Sequence, residues 1–399
     1  MRKDFVFISE SVTEGHPDKL CDQISDAVVD KLLVQDPYAR MRAECAVASA
    51  IVFIAVRYAS SAVVDFSQVA RKVIDEAGYD QPDFNSKTCS ILTTPTEQEY
   101  DPAWRFEEEK LTEEQIEAIP PKNQATVFGF ACNQSRALLP MPIFLANKLT
   151  RRLSDVRREK VLPYIAPDGK VQVAVEYKNR KPERVYAITV EASQRGDMDV
   201  SPKTLHDDLL ETVVRPVFVD EDIRVDDRTR IFINPDGAVI DGGPSSHSGL
   251  TGRKNAVDTY GEYSRHSGKA LSGKGPSRID RVGVYAARYA AKNVVASGLA
   301  DTCEITLSYS LGVSRPVSLH VDTYGTGKLK DSRISALVQE HFDFRLAAIV
   351  RNLSLRHLPS MNSGRFYQHL AARGHLGRAD MDLPWERTDK AELFAEAGK

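Results

Sequence analysis

Apolar residues along this chain switch between two periods, and the switches mark its elements. Phe5-Val6-Phe7-Ile8 predicts a short strand at the N-terminus. After a polar break, Leu20, Ile24, Ala27, Val28 and Leu32 recur at helical spacing and predict a helix to about Leu33. Ser11 and Glu14 have capping-box spacing before it, and Pro17 suits a first helical turn. Residues 43–56 are almost unbroken apolar and small, which predicts one buried strand. A helix over 69–77 ends at Gly78, a good C-cap. Later helices are predicted over 142–156, 204–217, 282–297 and 334–342. Strands are predicted over 170–177, 184–191, 230–233, 304–312 and 317–323.

Between 94 and 122 the periodicity stops. Pro95, Pro102, Pro120 and Pro121 bracket the acidic runs Glu107-Glu108-Glu109 and Glu113-Glu114. This predicts a long surface loop with a short helix over 113–118. Loops of this length serve as lids or as solvated linkers, and the pattern leaves both open. Each third of the chain mixes strands with amphipathic helices, without a tandem repeat. That order predicts an α/β (α+β) fold of three similar modules. The divisions fall at 1–100, a variable loop at 101–122, then 123–229 and 230–399.

Composition changes this picture little. The chain has 399 residues, with 53 Lys+Arg against 56 Asp+Glu. A balance so near zero argues against a dedicated nucleic-acid binder. No apolar run reaches the ~18 residues of a membrane span. Cys21, Cys45, Cys89, Cys132 and Cys303 show no CxxC spacing, so neither a disulfide framework nor a structural zinc site is indicated. A cytoplasmic protein with reduced thiols and no membrane partner is the expectation.

Three polar segments carry candidate chemistry. In Gly15-His16-Pro17-Asp18-Lys19, a His, a carboxylate and an ammonium gather at a predicted helix N-terminus, which favours anions. His16 and Lys19 suit phosphate oxygens, and Asp18 suits a divalent ion bridging them. An ordinary capped helix explains the same residues. The second segment runs from Gly242 to Lys254, where glycines permit close approach to a ligand and Arg253 and Lys254 add charge. A glycine-rich connection with a surface basic pair is its plain alternative. The third, Gly268 to Gly275, has Gly-x-x-x-x-Gly-Lys spacing but lacks the following Ser or Thr, so it is not a P-loop. Lys274, Arg278 and Asp280 still form a charged constellation there, with a solvated loop as the alternative. Together the segments suit a triphosphate held with Mg²⁺.

On Gly-His-Pro-Asp-Lys (15–19), Gly-Leu-Thr-Gly-Arg-Lys (249–254) and Leu-Pro-Trp-Glu-Arg-Thr-Asp-Lys (383–390), the chain resembles the S-adenosylmethionine synthase, or methionine adenosyltransferase, family. The likeness also covers 9–35, 232–235, 249–261, 274–312 and 374–393. It implies three copies of one α/β module around a pseudo-threefold axis. It also implies homodimers with interface active sites, often paired into homotetramers. The implied reaction is attack of the methionine sulfur on C5′ of ATP. Triphosphate leaves and is then hydrolysed to phosphate and pyrophosphate. The resemblance implies that His16 lies near the leaving oxygen and that Asp18 and Asp280 hold Mg²⁺. Lys19, Lys170, Arg253, Lys254 and Lys274 match the triphosphate cations, with Arg278 where the family has Lys. Glu44 matches the carboxylate of the K⁺ site.

The organic half departs from the family. A Glu that holds the methionine ammonium reads Arg57 here, in Ala55-Val56-Arg57. An Asp reads Asn123, another reads His247, and the aromatic that stacks on adenine reads Val239. Gln98 is the remaining candidate for a methionine-binding Gln. These departures raise three alternatives: another nucleoside triphosphate or acceptor, a tripolyphosphatase without alkyl transfer, or a nucleotide-binding protein without turnover.

Overall fold

The computed structural model describes residues 4–99 and 105–398. β1 (Phe5–Val12) leads into α1 (Pro17–Gln35), then β2 (Arg40–Ala48), β3 (Ile51–Ala59), α2 (Phe66–Ala77) and β4 (Ser90–Glu97). α3 (Glu113–Glu117), β5 (Ala125–Cys132), α4 (Met141–Arg158), β6 (Ile165–Lys178) and β7 (Lys181–Gln194) follow. A π-helical turn joins α5 (Pro202–Leu209) to α6 (Arg215–Val217). Next come β8 (Arg230–Ile233), β9 (Val239–Ile240), β10 (Gly249–Leu250), α7 (Asn255–Asp258) and α8 (Ile279–Ala296). β11 (Thr302–Tyr309), β12 (Ser318–Asp322) and α9 (Asp331–His341) precede the closing helices. These are α10 (Leu346–Asn352), α11 (Leu358–Met361), α12 (Phe366–Arg373) and α13 (Ala391–Ala397).

Three sheets result. The first runs β1-β6-β7-β8 with β9 also on β7, the second β10-β2-β3-β4, and the third β12-β11-β5. Each is covered on one face by a long helix: α4 on β1 and β6, α1 on β2 and β10, α8 on β5 and β11. One apolar face per sheet must be buried, and a single amphipathic helix does this three times over. The result is an α+β fold of three sheet-and-helix layers. The strands interleave: β1 pairs with β6, and β5 pairs with β11, so no sheet is built from one continuous third of the chain.

The predicted helices over 69–77, 142–156, 282–297 and 334–342 correspond to α2, α4, α8 and α9; each starts one to three residues earlier, and their C-terminal ends agree within two residues. Gly78 closes α2 at φ 88°. The segment 43–56 is not one strand. It belongs to a β2–β3 hairpin that turns at Ser49, φ 49°. Apolar outward residues (Ala46, Ala48, Ile51, Phe53, Ala55) mask the alternation that would have shown two half-buried strands.

Ser11 and Glu14 form no capping box. Ser11 bonds Thr150 inside the protein, and Glu14 is buried against Arg157 and Arg158. His16 caps α1 instead. The acidic loop is not free over its described part either. β4 extends into it as far as Glu97, Glu108 is buried on Arg356 at 2.9 Å, and Glu117 meets Arg345 at 3.3 Å. Pro102 of that loop lies outside the described residues. Among the described residues, no helix is long and apolar enough to cross a membrane.

Candidate active site

One polar cluster forms where α1 starts. The Nδ1 of His16 accepts the Asp18 backbone N–H at 3.2 Å, so the neutral ring carries its proton on Nε2. Burial pushes the His16 imidazole down to about 4, against the pull of Asp168 and Asp18. It is therefore a neutral donor at ordinary pH. Asp18 Oδ1 accepts the Leu250 N–H at 3.0 Å, with the Arg253 guanidinium 3.6 Å away. At the adjoining end of the first sheet, Lys170 and Lys254 both reach Glu10, at 2.7 and 3.1 Å. Burial works to raise the Glu10 carboxyl, and the two lysines outweigh it and lower it.

His247 sits on Asp168, Nε2 to Oδ2 at 2.8 Å, and the Gly243 N–H reaches the same oxygen at 2.9 Å. The hydrogen bond to Asp168 raises the His247 imidazole above its ordinary range. His16, Asp168 and His247 each offer a ligand atom within 4.8 Å of the others. They do not fit a histidine-bound ion. The Nδ1 of His16 already accepts a backbone N–H, its Nε2 carries a proton, and the His247 nitrogen is engaged by the carboxylate.

A second cluster lies along α1 from the first. Asp280, at the start of α8, takes Asn123 Nδ2 at 2.8 and 3.1 Å and Lys269 at 3.0 Å. Arg278 lies 4.0 Å from it. Burial works to raise the Asp280 carboxyl; Lys274, Asn123 and Lys269 outweigh it and hold it low. Lys274 is buried, and burial lowers its ammonium to about 8 even beside Asp280. Lys274 bridges to Arg42 in antiparallel register, and Arg42 faces Arg57 across β2 and β3. Paired residues share a face, so these three cations form a row across the outward face of the second sheet, ~5 Å from strand to strand. Glu44 binds Arg42 on that face.

The structure thus gathers His16, Asp18, Lys170, Arg253, Lys254 and His247 in one group. Asn123, Lys274, Arg278, Asp280, Glu44 and Arg57 form the other. Two residues sit at the margins. Val239 pairs with Ser193, whose hydroxyl donates to the Asp168 carbonyl at 2.6 Å. Gln98 follows β4, its N–H on the Tyr58 carbonyl at 2.7 Å. Lys19 does not belong with the phosphate cations. Its ammonium is fully buried between Asp22 and Asp258. Burial would lower that ammonium, and Asp258 and Asp22 raise it instead.

Asp168, Glu10, Lys269 and Arg42 escaped the sequence reading. Pro167-Asp168-Gly169 has the look of a turn, yet it runs inside β6 across a register shift between Ile165 and Gly169.

Asp18 and Asp280 suit a hard divalent cation shared with phosphates, since each is a carboxylate beside convergent cations. Glu44 suits a potassium ion less well, because Arg42 already occupies its carboxylate. The combination is able to bind a polyanion at one helix N-terminus and on two cationic loops, and to donate a hydrogen bond from the His16 Nε2–H to an oxygen there.

Comparison with known proteins agrees. Models of the S-adenosylmethionine synthetase N-terminal, central and C-terminal domains match residues 4–99, 118–239 and 241–387. The S-adenosylmethionine synthase of Rippkaea orientalis is 46% identical over 410 residues, covering 100% of this chain and 97% of that protein. The protein of that name from Microcystis aeruginosa is 47% identical over 410 residues, covering 100% of this chain and 99% of its own. Likeness over the full length favours methionine and ATP over another nucleotide, another acceptor or a triphosphatase.

Proposed function

The chain belongs to the S-adenosylmethionine synthetase family, metal-dependent methionine adenosyltransferases acting on ATP and methionine, and from this premise we propose which of its residues do the work. The observation that carries the assignment is the gathering of His16, Asp18, Arg253 and Lys254 at the start of α1, with Lys274, Arg278 and Asp280 on segments docked along the same helix.

The sulfur of methionine attacks C5′ of ATP, and the C5′–O bond breaks as triphosphate leaves. Charge grows on the leaving oxygen, so prepositioned donors and cations there act mainly on the transition state. His16 Nε2–H donates to that oxygen. Lys170, Arg253, Lys254, Lys274 and Arg278 hold the phosphates. Mg²⁺, held by Asp18 and Asp280, supplies further charge neutralisation when bound. K⁺ beside Glu44 would have to share its carboxylate with Arg42. Asp168, tied to His247, borders the nucleoside side together with Val239. Arg57, at the end of the cation row, presents a positive charge to the carboxylate of the amino acid rather than a negative one to its ammonium. Asn123 orients Asp280, and Gln98 lies at the rim beyond Arg57.

The test is incubation with ATP, methionine, Mg²⁺ and K⁺, with GTP, CTP and UTP in parallel. Mass spectrometry is expected to find S-adenosylmethionine with ATP, alongside phosphate and pyrophosphate. Phosphate release with no sulfonium product would sink the reading.

The working unit in this reading is a homodimer. The outward faces of two sheets expose Val6, Ile8 and Phe232, and Ile51, Phe53, Leu92 and Leu250, each more than 40% accessible. On the second sheet Leu250, Phe53 and Leu92 fall in one row across its strands, and a contiguous apolar face of this kind marks an association surface. Glu44 and Arg57 share the second face, so a second copy there would complete the cation row. Phe53 lies between Ala46 and Leu92 at its centre. Light scattering is expected to give twice the chain mass for the native protein, or four times it if two dimers pair, and a halved mass for Phe53→Glu, with activity lost in the variant. A native monomer with full activity would overturn the dimer. Five free, buried thiols suit a reducing cytoplasm.

A further inference from the structure

Aspartates recur every fourth residue along α1, at Asp18, Asp22, Asp26 and Asp30. That spacing puts them on one helical face, and all four are buried. Each accepts a backbone N–H from a segment far away in sequence. Asp18 takes Leu250 at 3.0 Å, Asp22 takes Gly252 at 2.7 Å, and Asp26 takes Gly273 at 2.8 Å. Asp30 takes Tyr367 and Gln368 at 3.0 and 2.9 Å.

The two middle amides belong to the residues just before Arg253 and Lys274. Both glycines have positive φ, 81° at Gly252 and 78° at Gly273. A Cβ on Gly273 would lie 2.0 Å from the Ala43 carbonyl oxygen, and one on Gly252 would lie 2.3 Å from the Ala270 Cβ. Both glycines lie against their surroundings with no room for a side chain. Arg281 completes the second clamp: it grips both oxygens of Asp26 at 2.7 and 2.9 Å and donates to the Lys274 carbonyl at 2.8 Å. Lys19 completes the first. It joins Asp22 at 3.1 Å and also binds Asp258, four residues past Lys254.

We propose that Asp22 and Asp26 are positioning residues for the triphosphate cations. The four-residue step from Asp22 to Asp26, ~6 Å along α1, sets the offset between the loop that carries Arg253 and the loop that carries Lys274. Both carboxylates are wholly buried and act through the loops they hold. This inference rests on the assignment of Arg253 and Lys274 as phosphate cations.

Asp30 is the internal control. It has the same helix, the same burial and the same amide-accepting role, but it docks α12, which carries no phosphate cation. Tripolyphosphate, the leaving group of the proposed reaction, is the probe, because its hydrolysis would need no methionine. For Asp22→Ala and Asp26→Ala, kcat/KM for tripolyphosphate is expected to fall about tenfold or more, because a hydrogen bond to a charged group is lost. KM for methionine should stay within about twofold, since uniform binding of that substrate is untouched. Asp22→Asn keeps a side-chain oxygen for the Gly252 N–H and should recover most of the loss. Asp30→Ala should lower Tm and leave the tripolyphosphate constants alone.

If Asp26→Ala does not fold, the contrast between Asp22→Ala and Asp22→Asn carries the test. The proposal is overturned if Asp30→Ala costs as much tripolyphosphate turnover as Asp22→Ala and Asp26→Ala, or if a folded Asp22→Ala or Asp26→Ala protein keeps native constants. Lys274→Ala separates the two levels: if it too leaves tripolyphosphate kinetics unchanged, the phosphate assignment has failed rather than the positioning.

Discussion

Lys274→Ala is expected to lower kcat/KM for ATP about 10²- to 10³-fold, the cost of removing one prepositioned charge aimed at a developing oxyanion. The basis is its placement. Its ammonium is buried, its carbonyl is held by Arg281, Asp26 holds the amide of Gly273 just before it, and it stands beside Asp280. A cation in low dielectric acts more strongly on a polyanion than one in water. The pH profile offers a second check. Burial lowers Lys274 to about 8, so the side chain is charged below that pH and neutral above it. The profile of kcat/KM for ATP, which reports the free enzyme, should fall as pH rises through about 8. Lys274→Arg should abolish that fall, because a guanidinium stays charged throughout. An alanine variant with native kcat/KM would remove Lys274 from the site.

His16→Ala is expected to lower kcat about 10²- to 10⁴-fold, the range for a positioned proton-bearing group. KM for ATP should move little, because the interaction strengthens only as the C5′–O bond breaks. Burial keeps the ring near 4, so no His16 inflection is expected between pH 6 and 9. His16→Asn, which still presents an N–H donor, should recover part of the rate. Equal losses in kcat and in ATP affinity would instead make His16 a binding residue. A full-rate alanine variant would end its role at the leaving oxygen.

Several elements were legible along the chain because local physics decides them. The period of Leu20, Ile24, Ala27, Val28 and Leu32 makes α1 whatever surrounds it. Pro17 marks a helix start because its ring fixes φ, and Gly78 marks a helix end because glycine reaches φ 88° without a Cβ clash. Motif spacing made the 15–19 and 249–254 segments stand out, and the structure brings them together through Leu250 and Asp18.

Other features were hidden for identifiable reasons. The hairpin that contains 43–56 was masked by apolar residues on its outward face, Ile51 and Phe53 among them. Lys19 looked like a phosphate ligand because it follows Asp18. Helical geometry turns it inward to Asp22 and Asp258. Asn123 stood as a lost carboxylate until its amide was found on Asp280. Asp168 lay in a turn-like tripeptide, and only β6 pairing shows it beside His247.

What the amino-acid order alone determined is therefore local: helix and strand periods, caps, and which charged residues come in clusters. The four aspartates of α1 were visible at their spacing of four. Which amides they accept was not, because those amides lie more than two hundred residues away, and chain separation carries no information about contact. Only tertiary packing decided that two glycine-bearing loops close on one helix, that Lys274 is buried enough to titrate near 8, and that Lys19 is sealed from the site. Burial and convergence are properties of the assembled surfaces, and no single segment possesses them.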